Sequence, residues 1–264
     1  MLKKLYKHEF YSLFRNILPV YAALLGFALL SRLGSLIESS NMVFSIFKGL
    51  TATIYIFSII AVFVVGMVIV VTRFYKNLLS HEGYLTFTLP FSATQHIVCK
   101  LICGAVVTAI NFIMFIASLA ILLTGTGAGK EFIKGLFELF NKALDYYSAA
   151  HIIGFAAQFL LMLLLSLVQS ILMFYAAMAI GQQFENKIAA SVVAYICIYS
   201  AVQVLSIVVL IPFAAINSGL FETSGIPLGN VQMFFGGIML LELALSAAYF
   251  LITRHFLSKR LNLE

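Results

Sequence analysis

The acidic residue with the strongest chemical potential is Glu242, which lies midway along the apolar stretch 231–253. A carboxylate at the centre of a hydrocarbon layer costs about 2.5–3.5 kcal/mol on insertion scales. It must therefore face other helices or a wet cavity, or carry a proton. Two roles follow. Glu242 could stand on a substrate or proton path, or it could be a buried carboxyl bonded to a neighbouring helix. Asn111, Gln158, Gln169 and Gln203 are the polar side chains in other apolar stretches that could partner it or line the same path.

Other reactive groups form no recognisable centre. The five histidines, His8, His81, His96, His151 and His255, lie outside the apolar centres. Cys99 and Cys103 share one helical face, but no Cys or His cluster accompanies them or Cys197, so they read as reduced thiols and not as metal ligands. The run Thr124–Glu131, TGTGAGKE, looks like a phosphate-binding loop. The pattern requires Gly where Thr124 stands and Ser or Thr where Glu131 stands, so nucleotide binding is not expected there. Neither His-Glu-x-x-His nor Gly-x-Ser-x-Gly occurs. The chain is expected to hold no ATPase or hydrolase site, no metal and no cofactor.

The elements that must position these residues are set by composition. Of 264 residues, 62% are hydrophobic and 10% charged; a soluble domain averages about 45–50% apolar and about 25% charged. Such an excess of apolar side chains needs lipid as its solvent. Six apolar stretches, near 17–36, 49–72, 97–124, 152–180, 188–216 and 231–253, are each long enough for a helix across about 30 Å of hydrocarbon. The expected fold is all-α: one transmembrane domain over 1–264, with six spans. Pro19 and Arg32 trim the first span, and Pro212 is expected to kink or end the fifth. Retained spans, and not a cleaved leader, are expected, because no small-x-small site follows the first run.

The net charge is +6, with basic residues concentrated at the ends of apolar runs. That placement suits lipid headgroups, not nucleic acid. With the first end inside, the outer segments hold only Arg32, Lys48, Lys130, Lys134 and Lys142 of the 16 Lys and Arg. The positive-inside bias therefore puts both termini in the cytoplasm of a cell-membrane protein.

Three segments outside the spans carry pattern. Residues 1–16 alternate Leu2, Leu5, Tyr6, Phe10 and Leu13 with Lys3, Lys4, Lys7 and Arg15. They read as a basic amphipathic helix lying flat at the interface, or as a tail that sets topology. The outer segment 125–151 sets Phe132, Ile133, Leu136, Phe137, Phe140 and Leu144 opposite Glu131, Lys134, Glu138, Lys142 and Asp145. It reads as a short amphipathic helix on the outer leaflet or capping the bundle, with Glu138 and Lys142 spaced to pair. The inner segment 73–96 continues the second span, turns at Glu82-Gly83, and restarts a helix at the capping-box match Ser92–Gln95.

Within that elbow, Arg73–Pro90, RFYKNLLSHEGYLTFTLP, resembles the first cytoplasmic loop of a group of ABC-2 type transporter permeases common in Gram-positive bacteria. Phe74, Tyr75, Lys76, Asn77, Leu78, Glu82, Gly83, Tyr84, Leu85, Phe87, Thr88, Leu89 and Pro90 carry the likeness. Ser80 and His81 stand where that group usually has Gly-Asp. The resemblance implies a permease subunit of an exporter, paired with a second permease subunit as a homo- or heterodimer. A separate ATP-binding-cassette ATPase would supply ATP and Mg. Glu82, Gly83, Tyr84, Phe87, Leu89 and Pro90 would form its docking element, with the N-terminal helix as a second contact. Two other function classes compete with this one. One is a scaffold, sensor or immunity protein that needs no ATP. The other is a secondary transporter driven by protons through Glu242, which would show interrupted helices and internal repeats.

Overall fold

The structure is a computed structural model that describes residues 2–36, 42–80, 83, 92–216 and 228–259. Backbone polar groups find no water in lipid, so a chain this apolar satisfies them internally as helix. In order these are α1 (Leu2–Leu36), α2 (Met42–Phe74) running into a π-helical turn (Tyr75–Leu79), α3 (Ala93–Leu123), α4 (Gly127–Tyr146), α5 (Ala149–Gly181), α6 (Lys187–Ile216) and α7 (Leu228–Lys259). Six of them, all but α4, are long and apolar enough to cross a membrane. The chain is an all-α, multi-pass membrane protein. At most 28% of the most apolar window of any span is buried, and none of α6's. The outward apolar surface needs lipid against it, as the composition requires.

Helix boundaries follow local chemistry and overrun the apolar stretches. The basic segment and the first span, read from sequence as two elements, are one helix with Pro19 inside it. The helix of the fifth span also continues past Pro212 to Ile216, so that proline does not end the helix. Both prolines are tolerated because each deletes a single donor from a long ladder of helical bonds, and a membrane helix can re-satisfy the freed carbonyl through its neighbours. α3 starts earlier than its apolar run because Ser92 and Gln95 form a reciprocal cap. The Ser92 amide donates to Gln95 Oε1 at 2.9 Å and the Gln95 amide to Ser92 Oγ at 3.3 Å. At the other end of α3, Gly125 takes φ +73, the left-handed conformation that lets the chain leave the helix.

The chain forms two compact units. One comprises Met1–Thr72 and Ile102–Tyr147; the other comprises Arg73–Leu101 and Ser148–Glu264. Within the first, α1, α2 and α3 meet through small and polar groups. Tyr21 donates to Asn111 Oδ1 at 2.6 Å, and the hydroxyls of Tyr55 and Ser118 lie 3.0 Å apart. Gly66 lies against the Asn111 amide and Ile17, where a side chain would collide. Phe63 fits edge-on to both Phe112 and Phe115. Within the second unit, α5 packs on both α6 and α7. Phe174 stacks on Tyr195 at 4.4 Å, and Gly181 lets the backbone of Ser191 approach closely, which makes α5 and α6 a tight hairpin.

Candidate functional site

The base of the elbow is the most thoroughly buried group of side chains in the second unit. α2 does not stop at the end of its apolar run. It carries Arg73 and Phe74 forward and tightens into the π turn, which buries Leu78 and Leu79. Phe74 stacks on Tyr175 of α5, ring centroids 3.8 Å apart and planes within 12°, both side chains fully buried. The Tyr175 hydroxyl donates to the Lys100 carbonyl at 3.3 Å. The Lys100 ammonium, itself buried, reaches the Arg73 carbonyl at 3.5 Å. Ile97 and His96 are buried beside Lys100 in sequence. The start of the elbow, the restart of α3 and the C-terminal half of α5 are thus held by one ring stack and two hydrogen bonds.

Of the six docking residues read from the elbow, Gly83 is described. It is buried, and its amide donates to the Ser80 carbonyl at 2.8 Å, closing the turn expected at Glu82-Gly83. Glu82, Tyr84, Phe87, Leu89 and Pro90 lie outside the described residues. Sequence reasoning missed Tyr175 and Lys100. Lys100 had a signal, a cation near the start of an apolar stretch. Tyr175 had none, because one Tyr among 12 in an apolar run looks like any other.

The intramembrane polar residues do not converge on one another. Asn111 is 2% exposed and committed to Tyr21 in the first unit. Gln158 donates through Nε2 to the Gln232 carbonyl at 2.8 Å, bridging α5 to α7 near their outer ends by the positive-inside reading, where Phe155 and Phe159 meet Phe235. Gln169 is half-buried on α5, and Gln203 is exposed on α6. Among the described residues, Glu242 Oε2 is buried with no hydrogen-bond partner, and so are the Ser246 hydroxyl and the Tyr249 hydroxyl on the same face of α7. These three residues are spaced i, i+4 and i+7, so they form a polar seam about 10 Å long at 1.5 Å per residue. Thr253 continues the face but bonds the Tyr249 carbonyl at 2.8 Å.

No family model, no curated protein and no solved structure matches the chain. Among the described residues, no group of His, Cys, Asp and Glu is arranged to hold a metal ion. Cys99 and Cys103 are buried and form no disulfide among the described residues, and Cys103 Sγ lies 3.9 Å from the Tyr6 carbonyl.

Proposed function

We propose that the chain is the membrane subunit of an ATP-binding-cassette exporter, energised by a separate ATPase that docks on the segment 73–96 from the cytoplasm. A second permease subunit would complete the complex, and ATP and Mg would be bound by the ATPase. The observation that carries this reading is the joint at the elbow's base. A docking element can drive a membrane protein only if force applied to it reaches the spans without being lost in a soft hinge. Here the elbow begins as an unbroken continuation of α2, and Phe74 is clamped flat against Tyr175 of α5. The resemblance of Arg73–Pro90 to the permease loop supports the same assignment from sequence. The experiment is co-expression with a candidate ATP-binding-cassette ATPase, followed by purification and ATP hydrolysis in lipid. Co-purification, with hydrolysis altered by Gly83→Trp or Tyr84→Ala, is the expected result. An ATPase that neither co-purifies nor responds to these variants overturns the coupling role.

A second reading, a proton-coupled transporter, is favoured by one observation, the unpartnered seam of Glu242, Ser246 and Tyr249 on α7. A carboxyl with no protein partner can exchange a proton through water or cargo. Proton uptake in reconstituted vesicles without ATP, abolished by Glu242→Gln, is its signature. Transport that persists in Glu242→Gln removes its principal residue.

A further inference from the structure

The structure assigns α4 a task that the spans do not share: we propose that it is a surface anchor that lays its apolar face into the acyl boundary of a zwitterionic leaflet. The helix divides cleanly. Phe132, Ile133, Leu136, Phe137, Phe140 and Leu144 fall on one side at helical spacing. Every one of them is exposed, Phe137 to 65%, so no described part of α4's own unit covers this face. A helix resting as a cap on the bundle would bury that side and expose the other; α4 exposes both.

The occupant is fixed by where α4 is tied. α3 is 31 residues long before it reaches α4, more than the roughly 20 that cross a hydrocarbon core. α4 therefore begins beyond the core. Only Thr124–Thr126 separate it from one span and Tyr147–Ser148 from the next. Gly125 makes the turn, Gly129 packs directly on the Leu123 carbonyl, and the Arg32 guanidinium lies beside Gly125 as a charge at the membrane edge would. The elbow and α4 sit at opposite ends of α3, so the anchor occupies the leaflet away from the elbow. A helix of 20 residues held this close to the lipid, with an uncovered aromatic face, meets lipid first.

The polar side shows that a zwitterionic leaflet suffices. Lys130, Lys134 and Lys142 are balanced by Glu131, Glu138 and Asp145. Lys134 and Glu138 lie 3.9 Å apart as an exposed i,i+4 pair. A neutral face gains nothing from anionic headgroups, so attachment rests on apolar burial and is insensitive to salt. That distinguishes α4 from the lysine-rich start of α1.

The test uses the absence of Trp from the chain: one introduced Trp is the sole indole. Full-length Phe137→Trp and Glu138→Trp are reconstituted into phosphatidylcholine vesicles. The expected result is blue-shifted emission for Phe137→Trp, quenched by lipid brominated near the headgroup and shielded from aqueous iodide, with no change in high salt or on adding anionic lipid. Glu138→Trp should emit at longer wavelength and be quenched by iodide. Phe140→Trp gives the same reading should Phe137→Trp fail to reconstitute. Iodide quenching equal at both faces overturns the proposal, as does an apolar face shielded from both quenchers, which means a second copy or another protein covers it. A Phe137→Trp signal that salt releases overturns the neutral-anchor mechanism.

Discussion

Phe74 lies flat on Tyr175, with ring centroids 3.8 Å apart and planes within 12°, and neither ring touches solvent. The pair joins the start of the elbow to the C-terminal half of α5. Removing the ring and removing only its hydroxyl should have different consequences. Tyr175→Ala leaves a buried cavity and is expected to cost about 3–5 kcal/mol. Tyr175→Phe keeps the stack and loses one bond to the Lys100 carbonyl, worth about 0.5–1.5 kcal/mol. Unfolding in mild detergent, followed by circular dichroism, separates them. Equal losses would show that the hydroxyl bond, and not the stack, holds the joint.

The contact between Tyr21 and Asn111 makes a second prediction. Interhelical hydrogen bonds in membranes average about 0.6 kcal/mol and reach about 1.7. A double-mutant cycle of Tyr21→Phe and Asn111→Ala should return a coupling in that range. Gly66→Val should be the worse single change, because its side chain would overlap the Asn111 amide. Asn111→Ala should then rescue part of the loss. No rescue would place the damage elsewhere in the packing.

The reciprocal cap at Ser92 and Gln95 predicts a local effect. Ser92→Ala should weaken the first turn of α3 by about 0.5–2 kcal/mol, whereas Ser92→Asp should be tolerated. Hydrogen exchange of the Gln95 and His96 amides is the measurement. Unchanged protection in Ser92→Ala would mean that packing, and not the cap, fixes where α3 begins.

Glu242 supplies the prediction that sets stability against activity. A carboxyl oxygen buried without a partner destabilises the fold, by about 1–3 kcal/mol for such a group. Glu242→Leu should therefore raise the unfolding midpoint, and any loss of transport in that variant then reports function and not misfolding. A lowered midpoint would mean that the carboxyl has a stabilising partner in the membrane.

Much of the architecture was legible in the chain. Hydrophobic length alone places six spans, and the Ser92–Gln95 pattern marks a helix start that the structure makes with both reciprocal bonds. Gly83 closes the turn read at Glu82-Gly83. The expected separation of residues 1–16 from the first span is absent, because Pro19 deletes one donor without ending the helix between Leu2 and Leu36. On α4, Glu138 meets Lys134, four residues before it; Lys142, four residues after it, stands in the order that the sequence favours for pairing.

The sequence by itself determined that this protein lives in a membrane, that α3 starts at its Ser92–Gln95 cap, and how α4 divides into two faces. Those properties are local. They depend on apolar length, on a cap three residues wide, and on charge at helical spacing. Only the tertiary structure decided that Asn111 answers Tyr21 90 residues away, that Tyr175 reaches the Lys100 carbonyl 75 residues away, and that Glu242 answers nothing among the described residues. A helix such as α6, apolar on every side, carries no stripe to say which way it is turned. Partner choice among such helices depends on rotation and axial register, and these are set by Gly66, Gly181 and the aromatic stacks once the helices meet.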